Sequence, residues 1–146
     1  MGGLNKNKDR LRHSDSPTRW EDHSGTYRPP PRDEWEESTR FSMLSRNTSR
    51  IRTLAFSWSQ GRIVDFAISL QYREGPPSPW INHITFDCRH GVAHLHSYKN
   101  GGRTGDTPEF IKTLNTPKDL QIALGLCLDR AALGRSKLEP LLGEVE

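Results

Sequence analysis

Four side chains that can take part in acid–base or metal chemistry lie close together in this chain of 146 residues. They are His83, Asp87, His94 and His96. An imidazole titrates near neutral pH and can take up or release a proton during a reaction. Imidazole nitrogens and carboxylate oxygens are also donors that Zn²⁺ and similar divalent ions accept. The strands that carry these residues decide whether the four can act together.

Apolar and polar residues alternate around this group, which predicts two neighbouring β-strands, from about residue 80 to 88 and from about 92 to 98. His90-Gly91 between them is typical of a two-residue turn. This turn sets the register of the pair, so that all the apolar residues share one face. Those residues are Ile84, Phe86, Cys88, Ala93 and Leu95.

The polar residues of the two strands must then point to the opposite face. The register places Asp87 directly opposite His94, and Thr85 opposite His96. Opposed Cβ atoms in such a pair are about 5 Å apart. His83 and, from a preceding strand, Asp65 are expected on the same face. The sequence therefore predicts a cluster of imidazoles beside at least one carboxylate.

Acid–base cleavage of RNA is one chemistry that this cluster allows. It needs a base that activates the 2′-hydroxyl and an acid that protonates the leaving 5′-oxygen, and two imidazoles can serve. His94 and His96 are the candidates, with Asp87 to orient one of them and His83 as a further candidate. The basic residues that could hold phosphate are Arg50, Arg52, Arg89, Lys99 and Arg103.

A metal site and a plain solvated face are the other two interpretations. His94-x-His96 on one strand, with His83 or Asp87 alongside, offers three or four ligands to a divalent ion. Polar residues on the outer face of an antiparallel sheet are also ordinary. The residues alone leave all three interpretations open, with no cofactor required and a divalent metal as the alternative.

The architecture expected around the cluster is α+β: a four-stranded antiparallel sheet with one C-terminal helix packed on one face. In the first hairpin, Phe56 is expected opposite Phe66, and Leu54 opposite Ile68. Residues 99–116 are interpreted as a glycine-rich loop. Thr116 then caps a helix that ends near Gly134. Its apolar stripe contains Leu120, Ala123, Leu124, Cys127, Leu128 and Ala131.

The organisation along the chain follows from composition. We expect a disordered basic tail over 1–32, a short helix and linker over 33–50, the domain over 51–134 and a frayed C-terminus over 135–146. Residues 1–52 contain 11 Lys and Arg against 8 Asp and Glu, an excess equal to the net charge of +3 of the whole chain. Such a tail favours nucleic acid as a partner, or serves only to solubilise or link the domain.

The same sequence features exclude several protein classes. No apolar run approaches the length of a membrane span, and the N-terminus has no apolar core of a secretory signal. Cys88 and Cys127 lie among apolar neighbours without a CxxC pair and are expected to be free thiols. We therefore expect a cytoplasmic protein without a membrane partner.

The stretch from Phe66 to Asn100, followed by the helix at Leu120, resembles small bacterial toxins of the TumE-like group. It is also similar to uncharacterised actinobacterial and phage proteins that carry an HG-x-x-H-x-H hairpin. The matching residues are Tyr72, Phe86-Asp87, His90-Gly91, His94 and His96. The resemblance implies a mobile-element or defence context, RNA as target, and a protein partner such as an antitoxin or host factor. A non-catalytic phage- or plasmid-type binding module, which engages its partner through the basic tail, is the alternative.

Overall fold

The computed structural model describes residues 23–45, 47–59 and 61–142, with only the backbone for 135–142. These residues form seven β-strands and one α-helix. The strands are β1 (Glu36–Ser45), β2 (Ser49–Trp58), β3 (Arg62–Tyr72), β4 (Ile81–Arg89), β5 (Val92–Lys99), β6 (Gly102–Arg103) and β7 (Glu109–Thr113), and the helix is α1 (Pro117–Leu142).

The strands form one antiparallel sheet in which β1 to β5 pair in chain order. The outer edge of β5 is shared, because β7 pairs with its first half and β6 with its end. The predicted α+β class with an antiparallel sheet and a C-terminal helix is confirmed. The predicted number of four strands is wrong, since β1, β6 and β7 were missed. An Asn100-Gly101 turn with positive φ at both residues starts β6 inside the segment predicted to be a loop.

The helix begins as the sequence predicts. The hydroxyl of Thr116 accepts the backbone N–H of Asp119 at 3.1 Å. The Asp119 carboxylate in turn accepts the N–H groups of Asn115 at 2.9 Å and of Thr116 at 3.2 Å. These bonds satisfy donors that have no partner within the first turn of a helix.

The core lies between α1 and the face of the sheet formed by alternate residues of β3, β4 and β5. Burial of such apolar area is the dominant stabilising contribution to a fold. The fully buried side chains from the sheet include Phe66, Ile68, Leu70, Phe86 and Ala93, and those from the helix are Leu120, Ala123, Cys127 and Ala131. The predicted apolar stripe of the helix is therefore confirmed.

The helix does not end at Gly134 but continues to Leu142. A Cβ at Gly134 would lie 2.9 Å from Cδ2 of Leu70 and 3.3 Å from Cδ1 of Ile84. The glycine therefore allows the helix to approach the sheet closely, and it is not a stop signal. Residues 135–142, which were predicted to fray, are therefore part of the helix.

The register of the first hairpin differs from the prediction by one residue. Phe56 is opposite Asp65, and Leu54 is opposite Ala67. An irregularity between Phe56 and Ser57 shifts the pairing near the turn. Leu54 and Phe56 consequently lie on the face turned away from α1. Trp35 packs there against Phe56, with 5.4 Å between ring centroids.

The N-terminal part of the described chain packs on the domain. The N–H groups of Gly25 and Tyr27 donate to the carbonyls of Gly91 and Leu114, both at 3.0 Å. A 3-10 helix, Arg32–Glu34, leads directly into β1, so a strand replaces most of the short helix and linker predicted over 33–50. Of the tail predicted over 1–32, residues 1–22 lie outside the described residues. Across the described ranges, no helix is long and apolar enough to cross a membrane.

Candidate functional site

The face of the sheet turned away from α1, which we call the polar face, carries the candidate residues in two cross-strand rows. Directly paired residues of neighbouring strands share a face, so the pairing places each row. One row is Arg52, Ser69, Thr85 and His96; the next is Leu54, Ala67, Asp87 and His94. The predicted pairs Asp87–His94 and Thr85–His96 are confirmed.

The turn between β4 and β5 explains this register. His90 has φ 53° and Gly91 has φ 74°. Positive φ at both central residues is the geometry of a type I′ turn, whose twist matches that of the flanking strands. A two-residue turn leaves no freedom to slip, and a slip of one residue would turn both imidazoles into the core.

Three side-chain atoms that can bind a metal ion converge on the polar face. Nε2 of His94 lies 2.7 Å from Oδ1 of Asp87, and Nε2 of His96 lies 3.5 Å from the same oxygen. The two rings meet edge to face, with 4.6 Å between centroids. One ligand atom from each of the three residues falls within a group no more than 4.8 Å across. We call Asp87, His94 and His96 the triad.

The triad is buried on one side and open on the other. The side chain of His94 is 2% exposed, that of His96 is 11% exposed and that of Asp87 is 39% exposed. Phe110 of β7 lies opposite His94, and the ring of His23 stacks on Phe110 at 4.1 Å. The carboxylate is therefore the most exposed member of the triad, although its Oδ1, which faces both imidazoles, is itself buried.

Charge near the triad keeps its carboxylate ionised. Burial by itself raises the pKa of Asp87, but the hydrogen bond and charge of His94, with the charges of His96 and Arg103, outweigh it. The pKa of Asp87 is lowered as a result. For His96, burial and the neighbouring charges of His94 and Arg103 lower its pKa despite the attraction of Asp87. An anionic oxygen beside a neutral imidazole is the state that binds a cation.

Arg103, predicted to bind phosphate, lies beside the triad. Its Nε donates to the hydroxyl oxygen of Tyr98 at 3.3 Å, and the hydroxyl of Thr85 donates to the same oxygen at 3.3 Å. The guanidinium is exposed and close enough to Asp87 to affect its pKa. It can therefore meet an anion that approaches the triad.

His83 does not join the triad, contrary to expectation. It is the extra residue of a bulge, because Leu70 pairs with Ile84 while Gln71 pairs with Asn82. Its ring meets that of Tyr72 edge to face at 6.4 Å between centroids. It also lines a pocket of about 430 Å³ that includes Arg130 and Leu133 of α1.

Asp65 lies on the polar face but in a different pocket. That pocket, of about 310 Å³, is also lined by Tyr27, Arg32 and Cys88. Burial raises the pKa of Asp65 to about 6, although the N–H of Phe66 donates to its Oδ1 at 2.8 Å. Asp65 therefore belongs to the contact between the N-terminal segment and the sheet.

The other predicted phosphate-binding residues are dispersed. Arg89 and Lys99 are exposed at strand ends, and Arg89 lines the pocket of Asp65. Arg52 lies in the row of His96, and Arg50 lies one row further from Asp87.

A group of aromatic and arginine side chains, which the sequence did not reveal, surrounds Arg50. Its guanidinium carbon lies 4.4 Å from the ring centroid of Phe41 and 4.1 Å from that of Trp80. The guanidinium carbon of Arg73 lies 4.2 Å from the ring centroid of Trp80. Since these residues come from β1, β2 and the β3–β4 connection, no spacing in the sequence links them.

No protein-family model, curated protein or solved structure matches this chain in the comparisons.

Proposed function

We propose that this chain cleaves phosphodiester bonds of RNA at the triad, with a divalent metal ion bound by Asp87, His94 and His96. The observation that supports this most is the convergence of both Nε2 atoms on one oxygen of Asp87, at 2.7 and 3.5 Å. Two histidines and one carboxylate with an open side are a common ligand set of catalytic metal sites.

The distances suit such an ion after a small adjustment. Ligand atoms around a tetrahedral Zn²⁺, each about 2.0–2.1 Å from the metal, are about 3.3 Å apart. The separation of 3.5 Å between His96 and Asp87 is already close to this value. The separation of 2.7 Å between His94 and Asp87 is that of a hydrogen bond, which the ion would replace.

A symmetric pair of imidazoles as acid and base is a poorer fit. Such a pair has to reach the 2′-hydroxyl and the leaving oxygen, which lie on opposite sides of the phosphorus. In this protein both Nε2 atoms face the same carboxylate oxygen, and His94 is only 2% exposed. His94 therefore serves better as a fixed ligand than as a group that exchanges protons with a substrate.

The ion would lower the pKa of a bound water and draw charge from a phosphate oxygen. The side chains of the protein would hold the ion and the phosphate in place. Asp87 and the two imidazoles set the position of the ion, and Arg103 is placed to meet the phosphate charge. Thr85 and Arg103 hold the Tyr98 hydroxyl beside this position.

Metal-free cleavage with His96 as the general base is the second candidate. Its support is the lowered pKa of His96, which favours the neutral imidazole at pH 7, and the partial exposure of that side chain, 11%. In that case Asp87 orients His96, and Arg103 stabilises the phosphate.

Incubation of the pure chain with labelled RNA, with and without a chelator, tests the proposal. We expect cleavage that stops with the chelator and returns with Zn²⁺ or Mn²⁺, and that is lost in Asp87→Asn and His96→Ala. His90→Asn is the matched control, because His90 is exposed and asparagine tolerates its φ of 53°. Cleavage that is insensitive to the chelator supports the metal-free candidate instead.

Absence of cleavage under every condition would overturn the proposal in favour of the binding module. A toxin-like role in the cytoplasm adds a test in cells. We expect induced expression in bacteria to arrest growth, and we expect Asp87→Asn to relieve the arrest at equal protein level. An antitoxin-like protein partner would be recognised by its ability to prevent the arrest.

A further inference from the structure

We propose that Phe41, Arg50, Arg52, Arg73 and Trp80 form a binding track for single-stranded RNA that leads to the triad. This inference depends on the proposed function for its link to cleavage, but binding can be measured separately. We call these five residues the track.

The first support is the alternation of rings and guanidinium groups. The guanidinium carbon of Arg50 lies 4.4 Å from the ring centroid of Phe41 and 4.1 Å from that of Trp80. A second guanidinium, that of Arg73, lies 4.2 Å from the centroid of Trp80. Aromatic rings and guanidinium planes are the groups on which proteins stack unpaired bases, and the ring of Phe41, 51% exposed, is the one that is open to a base.

Hydrogen bonds hold the platform in place before any ligand arrives. Nε of Arg50 donates to Oε1 of Gln71 at 2.7 Å, and Nε2 of Gln71 donates to Oδ1 of Asn82 at 3.0 Å. Nε of Arg73 donates to the carbonyl of Asn47 at 2.8 Å. These bonds engage one edge of each guanidinium and do not involve its terminal NH₂ groups, which can meet phosphate.

The charge of the track is not neutralised within the described part of the chain. The ion pairs there join other residues, and none of them includes Arg50, Arg52 or Arg73. The pKa of Arg50 is lowered by burial and by the positive charges of Arg73 and Arg52. Like charges held close together favour an anionic partner, and a phosphate backbone supplies one.

The track also presents apolar surface. Phe41 is 51% exposed and Met43 is 49% exposed, and they pair with Arg52 and Arg50 respectively. Large apolar side chains at this exposure beside three arginines are suited to nucleotides, which combine the apolar face of a base with a charged phosphate.

The position of the track relative to the triad indicates the path that bound RNA would follow. Arg52 and His96 lie in the same cross-strand row, three strands apart. At about 4.8 Å per strand, the distance between them is about 14 Å. An RNA strand that enters over Trp80 and Arg50 can therefore pass Arg52 and reach the triad within a few nucleotides.

A single strand is favoured over a duplex because the platform needs open base faces. In a duplex the bases are stacked on each other and only the phosphates and groove edges are offered. The residues of the track belong to β1, β2 and the β3–β4 connection, and none of them belongs to α1, whereas a helix is the element that a major groove admits. The ligand that fits the track is therefore unpaired RNA.

The test measures the anisotropy of a labelled short oligouridine added to the Asp87→Asn chain, which leaves the RNA intact. We expect Phe41→Ala to weaken binding about tenfold, as the loss of one stacking contact does, and Phe41→Trp to keep most of the affinity. We expect Arg50→Gln to weaken binding and to reduce the dependence on salt by about one phosphate contact.

Arg40→Gln is the matched control, because Arg40 pairs with Thr53 and so belongs to the face on the side of α1. It should leave binding within about twofold of the parent, because Arg40 lies on the opposite face of the sheet from the track. Thermal unfolding of each variant shows whether it is folded, and Arg50→Gln replaces Phe41→Ala as the test if Phe41→Ala does not fold.

Binding that is equal for single-stranded and duplex RNA, or equal in the parent, Arg50→Gln and Arg40→Gln, would overturn the track. These outcomes are separate from failure of cleavage. A chain that binds single-stranded RNA through Phe41 and Arg50 but does not cleave it would support the track and refute the proposed reaction. Cleavage that the track variants leave unchanged would support the proposed reaction and refute the track.

Discussion

Asp87 is the residue on which the candidate site depends, because one of its oxygens faces both imidazoles. It is also the most exposed of the three, at 39% against 2% and 11% for the histidines. An ionised carboxylate at the entrance and imidazoles behind it attract a cation and discourage an anion. A phosphate would therefore be bound through an ion or through Arg103, rather than by the triad directly.

A second carboxylate, Asp65, should control part of the stability of the fold against pH. Burial raises its pKa to about 6, from 3.8 for the free side chain. Between these values the folded state holds a proton that the unfolded state has released, so Asp65 adds stability as the pH falls from about 6 toward 4. Above pH 6 the ionised, desolvated carboxylate costs up to about 3 kcal/mol.

Asp65→Asn removes this titration and keeps an oxygen that can accept the N–H of Phe66. We expect the variant to be more stable than the parent at pH 8 and to lose that advantage near pH 4. Urea unfolding at several pH values measures the difference between the two chains, which cancels the contribution of Asp87. An equal pH dependence in both chains would contradict the role of Asp65.

Both thiols should be unreactive in the folded protein. Burial raises the pKa of Cys127 to about 12, and it raises that of Cys88 as well. Because the thiolate is the reactive form, alkylation at pH 8 should be slow for both. We expect reaction with a thiol reagent to follow unfolding in urea. Rapid modification of either cysteine without denaturant would show that this part of the fold opens.

At the scale of elements, the β4–β5 hairpin joins the triad to the N-terminal segment. The backbone of Gly25 donates to the carbonyl of Gly91, where the two chain segments run very close. A Cβ on Gly91 would lie 2.4 Å from the carbonyl oxygen of Gly25. The glycine is therefore required by contact as well as by its φ of 74°.

Gly91→Ala should destabilise the fold by more than the strain of a left-handed residue, which is about 1–2 kcal/mol. Gly61→Ala is the control, because Gly61 has φ 83° and a Cβ added there would have no atom within 4 Å. Chemical denaturation measures both variants. Equal losses would mean that the segment around Gly25 moves away at little cost.

At the scale of the whole molecule, the two faces of the sheet have different tasks. One face packs against α1 and provides the apolar core, and the polar face carries the triad, the track and the aromatic contacts of the N-terminal segment. A sheet whose hydrophobic face is satisfied by a single helix leaves its other face available for binding. The proposed reaction and the proposed ligand both use that face.

Removal of residues 1–22 should distinguish the face from the basic N-terminus as the RNA-binding element. All arginines of the track lie between residues 50 and 73, so we expect the shortened chain to keep most of its affinity for oligouridine. The loss should be smaller than that caused by Arg50→Gln in the full chain. Loss of all binding on truncation, with the track variants at parent affinity, would favour the binding module.

Local patterns were enough to predict the hairpin that carries the triad. Period-two alternation and the His90-Gly91 turn determine its register, and the capping residues of α1 act within one turn of the helix. Such features depend on residues near in sequence. The α+β class, the apolar stripe of the helix and the pairing of Asp87 with His94 were all predictable for this reason.

The first hairpin shows where local pattern fails. Successive residues of β2 alternate between its two faces. The larger side chains, Leu54 and Phe56, were predicted to lie on the core face. In the structure they lie on the polar face, where Trp35 covers Phe56. Burial by a segment that precedes β1 cannot be inferred from β2 itself. The same holds for His83, which a bulge in the β3–β4 pairing separates from the triad.

The sequence by itself determined which residues alternate, where the tight turn and helix cap lie, and hence that Asp87 faces His94. Only the tertiary structure decided that His94 is buried while Asp87 is partly exposed, and that the guanidinium of Arg50 contacts both Phe41 and Trp80. The physical reason is that alternation specifies a face of a strand but not what covers it. Covering groups come from distant segments, whose approach depends on packing and on the pairing of all the strands.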